Sequence, residues 1–455
     1  MKTKQWLQLG LLGMLIGLLA LACRLTPPTS PVSPISPISE SVLATPAPDE
    51  PTGPTPTPTV APSRTPSPSS TPTPDASADD EIFLPAIIAQ PSTATPTPQP
   101  TAPPPPTATP LPPPVPKPSF GVQIDPNTDD LSEVLRWVEG MGFGWIKVQV
   151  EWMYVEHDPE VYRWDALDRL VRLSNEFEMD LLIGVVDAPV WLRADPGYNG
   201  PPEDPAEFGR FMGVMAERYA GRVTAYELWN EPNLSREWYG ATLDPAAFVT
   251  LVAHGSRAIR AADPEAIIVS GAPGVTGIDD GVDAIADRRF LRETLAAGLP
   301  QWVDAIGVHP YGYGNPPQER AADETHLRSA WNEHPTFFFL DTLEDYHAIL
   351  TEAGVDLPLW PTEFGWPAAE GIRSTNLPPD FPYPYAVWVS EQEQADYLIT
   401  ACEIMRERPW VGPFFIWNLN MSVVWGRERP EALFSLLRTD TSFRPAYIAL
   451  RVHQP

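Results

Sequence analysis

Two short stretches of the chain set a glutamate among Asn, Pro, Gly and aromatic residues. One is Tyr226-Glu227-Leu228-Trp229-Asn230-Glu231-Pro232-Asn233; the other is Thr362-Glu363-Phe364-Gly365-Trp366. Each follows a short apolar run of the kind that forms a buried strand. Two carboxylates facing each other across a bound sugar can do one well-defined job. One protonates the leaving oxygen of a glycosidic bond while the other attacks the anomeric carbon or activates water. Retaining chemistry needs the pair about 5–5.5 Å apart, inverting chemistry roughly 6.5–9.5 Å. Taken alone, Asn-Glu-Pro reads better as a plain strand-to-turn exit, because Asn and Pro favour turns.

The elements that must position these groups alternate from residue 120 onward. The apolar runs are Phe120–Ile124, Trp145–Val150, Leu181–Val186, Ala225–Trp229, Ile267–Gly271, Ala305–Val308, Leu359–Thr362 and Phe414–Trp417. Amphipathic stretches separate them: Asp130–Met141, Trp164–Glu178, Pro205–Tyr219, Pro245–Ala262, Asp287–Ala297, Thr336–Ala353, Glu391–Arg408 and Pro445–Val452. Asp204 and Asp244 precede prolines, which marks them as N-caps. Runs this apolar suit strands buried on both faces of a parallel sheet. Eight such units predict an α/β fold of the (β/α)8 TIM-barrel type, with catalytic groups at the C-terminal strand ends. The competing doubly wound open sheet lacks a Gly-rich phosphate loop after the first strand. Tyr311–Pro335 and Arg373–Ser390 are the expected long insertions.

Reading the strand ends adds His309 and Tyr311 after strand six and Trp417 after strand eight. In this setting Asn230-Glu231-Pro232 and Glu363 resemble the clan A retaining glycoside hydrolases. The resemblance covers about Phe120 to Val452 and is nearest the β-xylosidase/α-L-iduronidase and cellulase types. It implies Glu231 as general acid/base, with its pKa raised by the neighbouring charge, and Glu363 as nucleophile. It implies that Asn230 bonds the sugar C2 hydroxyl, Tyr311 holds Glu363 in line, His309 lines the site and Trp417 floors it. Related enzymes place an arginine on strand two near the nucleophile. Here Lys147 stands in that region, so either it replaces the arginine or the correspondence shifts there. Trp152, Trp191, Trp238, Tyr239, Trp366, Trp388 and Trp425 are candidate sugar platforms, since sugar rings present apolar C–H faces. Each one alone reads better as packing, while two or three of the set are expected to line a sugar groove. Glu151 is a mouth acid or a solvated loop residue.

The chain has 455 residues and 59 prolines, more than half of them before residue 119. Residues 1–22 read as a signal peptide: Lys2 and Lys4, then an apolar run from Leu7 to Ala22. Leu19-Ala20-Leu21-Ala22-Cys23 is similar to a bacterial lipobox and implies lipidation of Cys23. Residues 23–118 read as a disordered Pro/Thr/Ser-rich tether, interrupted by the apolar patch 81–88. Residues 119–455 form the predicted barrel. These segments place the domain at a bacterial cell surface, lipid-anchored or secreted. Cys402 has no partner once Cys23 is lipidated and reads as a small core residue. No Cys/His spacing suggests a metal, and no cofactor is expected. The net charge of -29 argues against nucleic acid as a partner. The expected partner is a carbohydrate substrate, met by a monomer. A tethered carbohydrate-binding protein on a barrel without turnover is the competing reading, and a transglycosidase is a variant of the first.

Overall fold

The computed structural model describes residues 119–453, apart from Pro196, Tyr198, 324–333 and 373–382. The signal segment, Cys23 and the tether lie outside the described residues, as does part of each long insertion.

Eight parallel strands follow the predicted runs to within a residue or two. They are β1 (Phe120–Gln123), β2 (Trp145–Glu151), β3 (Asp180–Val186), β4 (Ala225–Leu228), β5 (Ile267–Ser270), β6 (Ile306–Val308), β7 (Leu359–Pro361) and β8 (Phe414–Ile416). Strand β8 pairs with β1, and pairing continues in order through β5. A bridge between Val269 and Ala305 carries it to β6, which pairs with β7. Bridges Leu359–Val411 and Phe364–Ile416 close the circle. The sheet is therefore a barrel, without the free edges of a doubly wound fold.

Eight helices follow the strands in turn: α1 (Leu131–Gly140), α2 (Asp165–Glu176), α3 (Pro205–Tyr219), α4 (Pro245–Ala262), α5 (Asp287–Ala296), α6 (Phe339–Glu352), α7 (Glu391–Arg406) and α8 (Pro445–His453). Asp204 and Asp244 cap α3 and α4, accepting from the amides of Ala206 and Ala246 at 2.9 and 2.8 Å. The predicted helix Thr336–Ala353 is split. Pro335–Phe337 forms one 3-10 turn, and extended backbone at Phe338 separates it from α6. Three successive phenylalanines cannot all face one helical stripe; the break lets Phe338 and Phe339 both be buried. A two-stranded hairpin of Glu156–Asp158 and Val161–Tyr162, in the loop after β2, carries no strong alternation in sequence.

Two cores result. A large one lies between sheet and helices. A small one fills the barrel itself: Trp145, Leu182, Ala225, Ile267, Val269, Ala305, Trp360 and Phe415. Trp145 meets the rings of Trp360 and Phe415 edge-on at 5.4 and 6.0 Å. This plug is the floor on which the polar residues of the mouth stand. Side chains alternate along a strand, so the residues two beyond Trp145 and Ala225 also point inward. They are Lys147 and Glu227.

Candidate active site

Strand β4 ends at Leu228, and its chain then turns sharply. Trp229 and Glu231 both take left-handed backbone angles, φ 79° and 43°. For such side chains this conformation is strained, and strain of this kind concentrates at functional sites. What holds it is visible. The Glu231 amide donates to the Ala272 carbonyl at 2.9 Å. Asn233 is fully buried and ties this loop to the one after β5. Its amide group donates to the carbonyls of Gly274 and Ile285, and its oxygen accepts from the Gly274 amide at 2.7 Å. Gly274 must be small, because a Cβ there would lie 2.9 Å from the Glu231 carboxyl carbon.

Glu363 follows β7. The amides on either side of it, Thr362 and Phe364, donate to Val308 and Phe415. Its side chain is 8% exposed. One oxygen accepts from Lys147 Nζ at 3.1 Å and the other from the Tyr311 hydroxyl at 3.0 Å. Lys147 thus lies on β2 beside Glu363, in the region where the resemblance expects an arginine. It also contacts Glu227 Oε2 at 3.0 Å, and both of these side chains are 1% exposed. Burial by itself would lower the Lys147 pKa; the charges of Glu227 and Glu363 outweigh it and hold the ammonium above the ordinary lysine value. Burial and the charges of Glu363 and Glu231 push Tyr311 well above the tyrosine range, so its hydroxyl stays a donor.

His309 Nδ1 joins the two acids, 3.2 Å from Glu231 Oε1 and 3.9 Å from Glu363 Oε2. Laid end to end, those distances cap the separation of the two oxygens. The cap falls low in the span of roughly 6.5–9.5 Å that inverting chemistry uses. Glu231 also pairs with Arg236, whose side chain is 47% exposed. Burial would raise the Glu231 carboxyl, but the Arg236 charge and the His309 bond outweigh it and bring it down to about 2. This corrects the expectation of a raised value. The nearest full charge to Glu231 is the arginine, not Glu363, and nothing in the sequence set Arg236 apart.

Asn230 is half-buried, and its Oδ1 has no partner among the described residues. Trp417 is half-buried; its ring meets Tyr311 and Phe434 edge-on at 6.0 and 4.8 Å. Two predicted platforms are corrected. Trp152 is fully buried, stacked on Phe211 at 4.9 Å, with its indole N–H on Glu156. Trp366 is fully buried too, its N–H on the Asn315 carbonyl at 2.7 Å and its ring against Tyr397. Both are pillars beneath the loops and have no face to offer a sugar. Trp238 is likewise internal, edge-on to Trp229. Trp191 and Trp425 are the exposed indoles, at 36% and 40%. Glu151 lies half-buried at the end of β2. Among the described residues no group of His, Cys, Asp and Glu side chains is arranged to hold a metal ion.

The fold is shared with known proteins. The chain is similar to solved structures of a family 39 glycoside hydrolase from Bacteroides cellulosilyticus (22% identity, TM-score 0.54), a glucosidase from Croceicoccus marinus (14%, 0.53) and a monomeric beta-xylosidase from Caulobacter crescentus (19%, 0.51). Each match covers 74% of this chain and, respectively, 63%, 67% and 69% of the other. The chain thus spans less than two thirds of the Bacteroides enzyme. At these identities the likeness establishes the barrel fold. No curated protein matches the sequence. The family model for cellulases matches residues 118–370, a span that contains both glutamate motifs. The chain belongs to glycosyl hydrolase family 5, the cellulase family, and is a glycoside hydrolase.

Proposed function

We propose that the enzyme cleaves O-glycosidic bonds of oligo- or polysaccharides with retention, through a glycosyl-enzyme intermediate. Glu363 is the nucleophile and Glu231 the general acid/base. The observation that carries this reading is the unequal setting of the two acids. Glu363 accepts from Lys147 and Tyr311, two donors that fix both of its oxygens in place. Glu231 is the one whose cation can leave: Arg236 is half exposed and on a loop. Once Arg236 moves off, Glu231 faces the charge of Glu363 across His309 and can hold a proton. Asn230 meets the sugar C2 hydroxyl with its unpartnered oxygen, and Trp417 supplies the floor of that subsite.

The test uses an aryl glycoside that the enzyme accepts. Glu363→Ala abolishes turnover. Glu231→Ala loses far more on poor leaving groups than on activated ones, because only the former need the proton. Rates like those of the wild type in both variants would sink the assignment, and an inverted product anomer by NMR would overturn retention. We further propose that Cys23 carries lipid and that the Pro-rich stretch holds a monomeric enzyme off a bacterial membrane. The support is the lipobox-like run and the composition of residues 23–118.

A further inference from the structure

Glu227 has no part in the chemistry above, yet it is an acid buried on the barrel axis side. Its carboxylate is 3.0 Å from Lys147 Nζ, which is itself 3.1 Å from Glu363. The other oxygen of Glu227 is buried and finds no partner among the described residues. An ion pair kept for stability would satisfy that oxygen. Strand β3 makes room for the group: Gly184 stands opposite Glu227 in register, and a Cβ there would approach the Glu227 carboxylate to 3.3 Å and Lys147 Cε to 3.8 Å.

We propose that Glu227 is a positioning residue acting through Lys147, which leaves the buried Glu227–Lys147–Glu363 triad charge-balanced in the glycosyl-enzyme and not in the free enzyme. This rests on the double-displacement reading. In the free enzyme two carboxylates share one ammonium, so the triad carries an excess negative charge. In the first step an oxygen of Glu363 bonds to the anomeric carbon. The bond from that carbon to the leaving oxygen breaks, its electron pair goes to that oxygen, and the oxygen takes the proton of Glu231. Glu363 is then a neutral ester, and Lys147 retains Glu227 as its counter-ion. Without Glu227 the same step would strand an ammonium that is 1% exposed, and an uncompensated buried charge is costly. The free enzyme of such a variant would instead hold a matched Lys147–Glu363 pair. Glu227 thus favours the intermediate at both ends of the step. Water attack regenerates the Glu363 carboxylate, so Glu227 also lengthens the life of the intermediate.

The experiment follows the Glu363 adduct on the full chain by mass spectrometry. The probes are dinitrophenyl fluoro-glucoside, fluoro-xyloside and fluoro-mannoside. Glu227→Gln should form the adduct roughly tenfold more slowly and release it roughly tenfold faster, a change of about 1.4 kcal/mol in each barrier. Lys147→Gln/Glu227→Gln removes the stranded cation and should return release to the wild-type rate or slower. Unchanged rates in Glu227→Gln, or formation and release slowed alike as a structural defect would do, overturn the proposal. If Glu227→Gln does not fold, the double variant decides: release faster than wild type overturns it. If the wild type forms no adduct on Glu363 with any probe, double displacement itself fails and this inference falls with it. An adduct on wild type with unchanged variant rates sinks the inference alone.

Discussion

Glu231 and Glu363 are the same side chain in opposite company. Glu363 has an ammonium and a phenol; Glu231 has an arginine that solvent also reaches. The groups facing Glu231 are Arg236, His309 and Glu363, with the hydroxyls of Tyr311, Tyr313, Tyr346 and Tyr383 near enough to feel its charge. Removing the cation should raise the Glu231 pKa. An acid with a higher pKa keeps its proton to higher pH, so in Arg236→Gln the alkaline limb of the kcat/KM profile should move upward. The shift expected from losing an adjacent opposite charge is about 1–3 units, and the half exposure of Arg236 puts it at the lower end. A limb that stays put or moves down would show that Arg236 does not govern the acid. The same pair links to stability with a definite sign. A folded value of about 2 against an ordinary 4.5 means that the contribution is intact above the ordinary value. It is lost only as pH falls toward the folded one.

At the scale of elements, β4 and the turn that follows it place two acids. Glu227 enters the barrel and Glu231, four residues on, stands at the mouth. Strand β3 answers with Gly184, whose missing side chain is the space the triad uses. Gly184→Ala should press the Glu227 carboxylate off its place beside Lys147 and lower kcat several-fold, as small misplacements of catalytic groups do. Its thermal unfolding should change little, and an unchanged kcat would show that the triad tolerates displacement. Helix α4 offers the contrast. Asp244 caps it and makes none of the contacts of Glu231, Glu363 or the triad, so Asp244→Ala should cost about 1 kcal/mol in urea unfolding and leave kcat and KM as they were.

For the whole molecule, the barrel, its plug and the site all fall within residues 119–453. A protein of residues 119–455 should therefore fold alone and keep full turnover, checked by comparing kcat/KM with that of the full chain. A loss of turnover would mean that the Pro-rich stretch contributes to the site. In cells, Cys23→Ala should take up no palmitate analogue; labelling that persists would end the lipidation proposal. The excess of acidic residues is a property of this scale as well, suiting a neutral glycan better than a polyanion.

The sequence by itself determined the eightfold alternation, because buried parallel strands must be apolar and their helices amphipathic, and both patterns are local. It determined the addresses of Glu231, Glu363, His309 and Tyr311 for the same reason: each follows directly on a strand. The tertiary structure alone decided which aromatics are pillars. Trp152 and Trp366 have the same side chain as Trp425, and burial is set by helices and loops distant in sequence. It also decided the charges around the acids. Lys147, Glu227 and Glu363 come from three strands, and Arg236 reaches Glu231 only because the loop after β4 folds back. Glu227 left one trace that could be read, an acid inside a run otherwise fit for burial. What it faces could be known only once the barrel closed.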